Sequence, residues 1–251
     1  MIKGLEVFKN HFREFHEHYV LIGGAACDII FNESDMSFRA TKDFDMVLIV
    51  EALTPEFGRQ FWNFINAGGY TNRAKSDGKP QFYRFDKPTN PDFPFMIELF
   101  ARSELVLVDD EATCRPLHID EEVSSLSAIL LNHNYYQLLL TGKTTVNDVT
   151  VLSPMQIILF KAKAWLDLTD RKVAGQQISE GDIRKHKNDI AQLAVLLTGN
   201  ESCVVPLSVL EDIDTFLVAF GNNPPDVKAL GIVGVTADDI TGLLRRIYIA
   251  E

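Results

Sequence analysis

Asp43 and Asp45 stand two residues apart at the head of the apolar run that ends at Val50. The Val, Leu and Ile content of that run favours a strand. Alternate side chains of a strand share a face, so both carboxylates are expected to point the same way. Two neighbouring acids repel and raise each other's pKa unless a cation lies between them, an arrangement suited to a hard ion such as Mg²⁺. A strand-entry turn with two solvated acids fits the same three residues, because Asp-x-Asp is a short motif. The residues upstream add a second part. Tyr19 to Gly24 reads as a short buried strand running into a paired-glycine turn, and Ala25 to Phe31 reads as the first turns of a helix. Gly23 and Gly24 let backbone N–H groups approach an anion, and a helix N-terminus adds partial positive charge. A phosphate cradle followed by a paired-acid strand supplies the parts that phosphoryl or nucleotidyl transfer needs, namely positioning and charge neutralisation.

A third acid is Glu98, inside the apolar strand expected from Phe95 to Arg102. An unpaired carboxylate in such a strand is costly unless it faces a metal or a cation, which assigns Glu98 as a third metal ligand. The other possibility is that Glu98 points to solvent from an edge strand.

At these residues the chain resembles the nucleotidyltransferase superfamily that includes DNA polymerase beta, aminoglycoside nucleotidyltransferases and minimal nucleotidyltransferases. The shared order is an apolar strand, paired glycines, a helix, Asp-x-Asp on the next strand and a later third acid. Within that superfamily, Arg39-x-Thr41-x-Asp43-x-Asp45 looks most like the AbiEii-type toxin nucleotidyltransferases. The resemblance implies an α+β fold, with a mixed sheet flanked by helices followed by a mostly helical C-terminal part. It implies transfer of a nucleoside monophosphate from an NTP, ATP included, to a tRNA, protein or small-molecule acceptor, with release of pyrophosphate. Asp43, Asp45 and Glu98 would bind two Mg²⁺ ions, and Gly23 and Gly24 would hold the β- and γ-phosphates. Arg39 and Thr41 would orient the loop or bind phosphate, and Lys161, in Lys161-x-x-Ala164, would contact nucleotide phosphates. Lys163, Lys185 and Lys187 are alternatives to it. A toxin role would also bring an antitoxin partner. Other readings on the same fold are a low-turnover nucleotide- or partner-binding module and an antibiotic adenylyltransferase. Three features depart from the family pattern: Glu98 where Asp is more common, Ala25 where a hydroxyl residue often follows the glycines, and a long Gly24–Asp43 interval suggesting an extra loop around Asn32–Ser37.

Composition bounds these readings. The chain has 251 residues, 46% hydrophobic and 24% charged, enough for one large or two modest domains. Its 24 basic and 35 acidic residues give a net charge of −11, which argues against broad binding to duplex DNA. Cys27, Cys114 and Cys203 are odd in number and scattered, so all three are expected to be reduced hydrophobes. With no signal-like segment and no apolar run of membrane-spanning length, a cytoplasmic protein without membrane attachment is expected. His11, His16 and His18 lack the acids or cysteines that would complete a metal site, and a solvated helix before the first strand is expected there.

The elements that must position the acids follow from local signals. Thr54 and Pro55 open a helix through Ala67 that Gly68 and Gly69 close, and its phenylalanines at helical spacing mark core. Asp77-Gly78 is a turn signal before a strand at Phe82–Phe85. Short strands are expected at Leu105–Val108, Leu117–Ile119 and Val149–Leu152, and a helix over Ser124–Leu140 whose Tyr135 and Tyr136 are core, rim or cleft aromatics. Residues 1–152 would form the catalytic domain and 153–251 an all-helical one. Its helices would begin at Ser153, with a Ser-Pro start and a capping-box Gln156, and at Ser179, with further helices near Pro206–Phe220, Pro225–Leu230 and Thr236–Ile247.

Overall fold

The computed structural model describes residues 2–74, 80–102, 107–108, 113–114 and 125–251. The chain divides into two compact units, Met1–Val123 with Lys143–Leu152, and Ser124–Gly142 with Ser153–Glu251. Ser124–Gly142, expected in the first part, belongs instead to the helical unit.

The first unit runs α1 (Leu5–Phe12), β1 (Tyr19–Ile22), α2 (Gly23–Glu33), β2 (Asp43–Leu48), α3 (Pro55–Gly68), β3 (Thr71–Ala74), β4 (Pro80–Asp86) and β5 (Met96–Ala101). Two-residue strands β6 (Leu107–Val108) and β7 (Thr113–Cys114) follow, and the chain returns with β8 (Lys143–Val146) and β9 (Val149–Leu152). Among the described residues, seven strands form a mixed sheet in the order β3-β4-β5-β2-β1-β9-β8. Its centre pairs β1 antiparallel and β5 parallel to β2. This is the mixed, helix-flanked α+β architecture expected from sequence. The expected turn at Asp77-Gly78, the strand at Leu117–Ile119 and the side chain of Cys114 lie outside the described residues.

One sheet face is apolar because residues of one parity across three strands are aromatic or aliphatic. Phe44 on β2 stands opposite Ile97 on β5, which stands opposite Phe85 on β4, and all three are fully buried. Helices α1 and α3 cover this face: the ring of Phe8 lies 5.3 Å from that of Phe44, and Phe61 lies 5.6 Å from Phe85. Helix α3 keeps the expected limits, with Thr54 Oγ1 accepting from the Phe57 N–H and Gly69 closing it at φ +60°. Burying the four rings of Phe8, Phe44, Phe61 and Phe85 in this layer contributes on the order of 2 kcal/mol each. Helix α1 is not the solvated helix expected: Leu5, Phe8 and Phe12 make one buried face. His11 packs edge-on against Phe64, and the His18 ring stacks on Phe57, where burial lowers its pKa.

The hairpin β8–β9 was not expected as a pair, although Asn147 and Asp148 both adopt positive φ, as a tight two-residue turn requires. Cys27 and Cys203 are buried and not joined in a disulfide.

The second unit holds α4 (Ser125–Leu131), α5 (His133–Thr141), α6 (Pro154–Val173), α7 (Glu180–Ala194), α8 (Leu207–Asn222) and α9 (Ala237–Ile247). The expected helix over 124–140 breaks at Asn132, whose side chain caps α5 by accepting from the N–H groups of Asn134 and Tyr135. Ser153 does not cap α6 with its side chain; its hydroxyl donates to Gln156 Oε1 instead. The expected helix at Pro225–Leu230 is a turn, with Asp226 Oδ1 accepting from the Ala229 N–H. Nor is this unit all-helical: β10 (Cys203–Val205) and β11 (Tyr248–Ala250) form a parallel pair. Among the described residues, no helix is long and apolar enough to cross a membrane.

Candidate functional site

The parity that makes one sheet face apolar puts the acids on the other. Asp45 stands directly between Ile22 on β1 and Glu98 on β5, and Glu98 stands opposite Arg84 on β4. Residues opposite one another in a ladder share a face, so Asp45, Glu98 and Arg84 form one row, with Asp43 two positions along β2. All three acids are half-buried, whereas their neighbours Phe44, Met46 and Ile97 are fully buried.

The glycine bend reaches this row because β1 runs antiparallel to β2, which brings the end of β1 to the start of β2. Gly23 has φ +68°, and a Cβ there would overlap Oδ2 of Asp45. At Gly24 a Cβ would stand 2.6 Å from Oγ1 of Thr41. Both glycines are therefore required by close approach, Gly23 also by its left-handed backbone. The N-terminus of the eleven-residue helix α2 thus opens against Asp45, with the Thr41 hydroxyl over the bend.

The three acids differ in what they face. Oδ1 of Asp43 is buried and has no hydrogen-bond partner among the described residues. Glu98 is ion-paired with Arg84, a half-buried pair in which the guanidinium supplies the counter-charge that a carboxylate in an apolar strand needs. Among the described residues no group of three His, Cys, Asp or Glu side chains is placed to hold a metal ion together. The expected three-carboxylate set is thus not assembled as such, because the third acid faces a cation from the neighbouring strand. The remaining donors still suit Mg²⁺, which is commonly held by one or two carboxylates while substrate phosphates supply further oxygens. An acid with an orphaned buried oxygen beside a second acid is the chemistry such an ion neutralises.

Sequence reasoning missed Arg84. Its signal was a single cation inside the apolar run Phe82–Phe85, which poses the same question of a partner as Glu98 does.

Arg39 is exposed, with its guanidinium 5.3 Å from the Phe38 ring centre. Lys161 lies in the helical unit, 5% exposed, with Nζ 2.7 Å from Oδ2 of the fully buried Asp189. Its ammonium faces that carboxylate rather than solvent. Lys163 is likewise engaged, 2.7 Å from Asp212 Oδ1, while the Tyr135 hydroxyl donates to Asp212 Oδ2 at 3.0 Å. Burial, reinforced by the Asp212 charge, raises the Tyr135 pKa, so this phenol remains a donor. Tyr136 is buried core. Lys185 pairs with Asp182 on the surface, and Lys187 Nζ donates to the Asn223 carbonyl at 2.6 Å.

No family model and no curated protein sequence matches the chain. A solved structure described as an antigenic nucleotidyltransferase-like protein from Paracoccidioides brasiliensis is similar at 18% identity and a TM-score of 0.47, over 89% of this chain and 88% of that one.

Proposed function

We propose that the protein is a Mg²⁺-dependent nucleotidyltransferase that moves a nucleoside monophosphate from an NTP to an acceptor hydroxyl. The observation that carries this reading is the meeting of the Gly23–Gly24 bend with Asp45 and Thr41, beside an Asp43 oxygen that is buried without a partner. Asp43 and Asp45 would hold the metal. When bound, the ion neutralises triphosphate charge and stabilises the oxygens that gain charge in the displacement.

The chain's own groups do the rest. Backbone N–H groups at the bend and the start of α2 bind the β- and γ-phosphates. Thr41 supplies over the bend the hydroxyl that is missing at Ala25. The acceptor oxygen forms a bond to the α-phosphorus as the bond to pyrophosphate breaks, and the acceptor's proton passes to a carboxylate of the Asp45–Glu98 row. Glu98, once released from Arg84, would add a third carboxylate to that set. Arg39, exposed beside this segment, contacts phosphate or acceptor. Lys161 has no part in binding phosphate, because Asp189 already holds its charge.

The acceptor classes are the tRNA, protein or small molecule that the sequence resemblance implies, and the toxin role with an antitoxin partner rests on that resemblance alone. A second reading, a nucleotide-binding module with little turnover, is favoured by the Arg84–Glu98 pair, which occupies the third acid. Parallel incubations with α-labelled and γ-labelled NTPs and Mg²⁺ over an acceptor screen separate the two. Transfer of the α-label alone with release of pyrophosphate is the expected result. Binding with no transfer of either label supports the module, and transfer of the γ-label contradicts both.

A further inference from the structure

The helical unit contains a cavity of about 890 Å³ bounded by α6, α7 and the segment 223–230. That volume lies within the range of small-molecule sites. Its charges are unevenly matched. Lys172 and Glu180 at its edge neutralise each other in an ion pair, and Asp226 caps its turn while keeping its negative charge. Arg184 and Lys187 are one turn apart on α7, hence on one face, and both line the cavity. Among the described residues neither is ion-paired with an acid, and the one hydrogen bond made by Lys187 goes to the Asn223 carbonyl. Burial and the neighbouring charge of Arg184 lower the Lys187 pKa. Lys172, Arg184 and Lys187 against Glu180 and Asp226 leave the lining with one surplus positive charge in a protein of net charge −11, and that surplus favours an anion.

Apolar side chains make up much of the remaining lining, beside Thr169, Asn188 and Asn223. Trp165 on α6, Ile183 on α7, and Pro225 and Leu230 of the closing segment line the same space, with the Trp165 ring held edge-on against Phe216 at 5.4 Å. A rigid indole beside paired cations matches a ligand with an anionic end and a planar body.

We propose that this cavity binds a phosphate monoester carrying a planar, apolar or aromatic body, a class that includes nucleoside monophosphates. Arg184 and Lys187 hold the phosphate, and Trp165 packs against the body. The inference does not rest on the nucleotidyltransferase reading, since no residue of the acid row takes part.

Trp165 reports on the site directly, because the other tryptophan, Trp62, is buried in the first unit. The full chain is titrated in EDTA with AMP, adenosine and inorganic phosphate while tryptophan emission is followed. AMP is expected to give a saturable change, with adenosine and inorganic phosphate each binding at least roughly tenfold more weakly. Arg184→Gln and Lys187→Gln, with unchanged circular dichroism, are each expected to weaken AMP roughly tenfold, the loss typical of a charged hydrogen bond. Asp45→Asn is expected to leave the titration unchanged, which keeps this test separate from that of the acid row. The proposal is overturned if AMP produces no saturable change, if adenosine or phosphate binds as well as AMP, if both α7 variants bind normally, or if Asp45→Asn abolishes the response.

Discussion

Replacing Lys161 with Met should cost the helical unit about 3 kcal/mol, because it leaves Asp189 charged and buried without its counter-ion. The Lys161 and Asp189 side chains are 6% and 0% exposed and 2.7 Å apart, so water screens the pair little and cannot replace the missing ammonium. Breaking a buried pair typically costs about 3–5 kcal/mol, and we take the low end of that range. The loss corresponds to a fall of roughly 10 °C in the melting temperature of a unit this size. Urea titration followed by far-ultraviolet circular dichroism reads it as a shifted midpoint at constant slope. A double variant, Lys161→Met with Asp189→Leu, should recover most of the loss, since two apolar side chains have no charge left to desolvate. A Lys161→Met protein within about 1 kcal/mol of wild type, but with weakened NTP binding, would refute the reasoning and return Lys161 to the phosphates.

Gly23→Ala forces a Cβ into Asp45 and a side chain onto a left-handed backbone, the latter alone costing about 1–2 kcal/mol. Loss of NTP binding and a lower melting temperature are expected, and wild-type behaviour in both assays would remove the bend from the site. Arg84→Met frees Glu98 from its partner, so Mn²⁺ affinity measured by electron paramagnetic resonance should rise at least roughly threefold if Glu98 joins the ligand set. Unchanged affinity would leave Glu98 as a structural partner of Arg84. Glu201 accepts from the N–H groups of Thr198 and Gly199, and those and neighbouring hydrogen bonds hold its pKa down at about 2 against an ordinary 4.5. A carboxyl with a lowered folded pKa adds stability above its unfolded value and loses it as pH falls toward the folded one. The stabilisation from Glu201 should therefore be complete above about pH 4.5 and fade toward pH 2, with a carboxyl NMR titration midpoint near 2. A midpoint near 4.5 would show that the turn does not hold the carboxylate.

The acid face was legible because strand parity is a local property. An unbroken apolar run fixes the faces, and Asp43, Asp45 and Glu98 needed only the parallel pairing of β2 with β5 to share one. The glycine bend was legible for the same reason, since strand, paired glycine and helix adjoin in sequence. What the sequence could not show is which cation meets which acid. That Arg84 stands opposite Glu98, or Asp189 opposite Lys161, depends on the register of β4 against β5 and on the packing of α6 against α7. Local signals also misled at Pro225, where a proline start and an apolar tail read as a helix. Asp226 caps a single turn there, and too few residues follow before Gly231, at φ +78°, to propagate it.

Nucleotidyl transfer here requires Asp43 and Asp45 to join a divalent ion to a triphosphate on the glycine bend. Calorimetric titration with a non-hydrolysable NTP, with and without Mg²⁺, in wild type, Asp43→Asn and Asp45→Asn, tests this most directly. Mg²⁺ should tighten binding at least about tenfold in wild type, the equivalent of ~1.4 kcal/mol, and in neither variant, while both variants melt at or above the wild-type temperature as carboxylate repulsion is relieved. Equal Mg²⁺ dependence in all three proteins would contradict it.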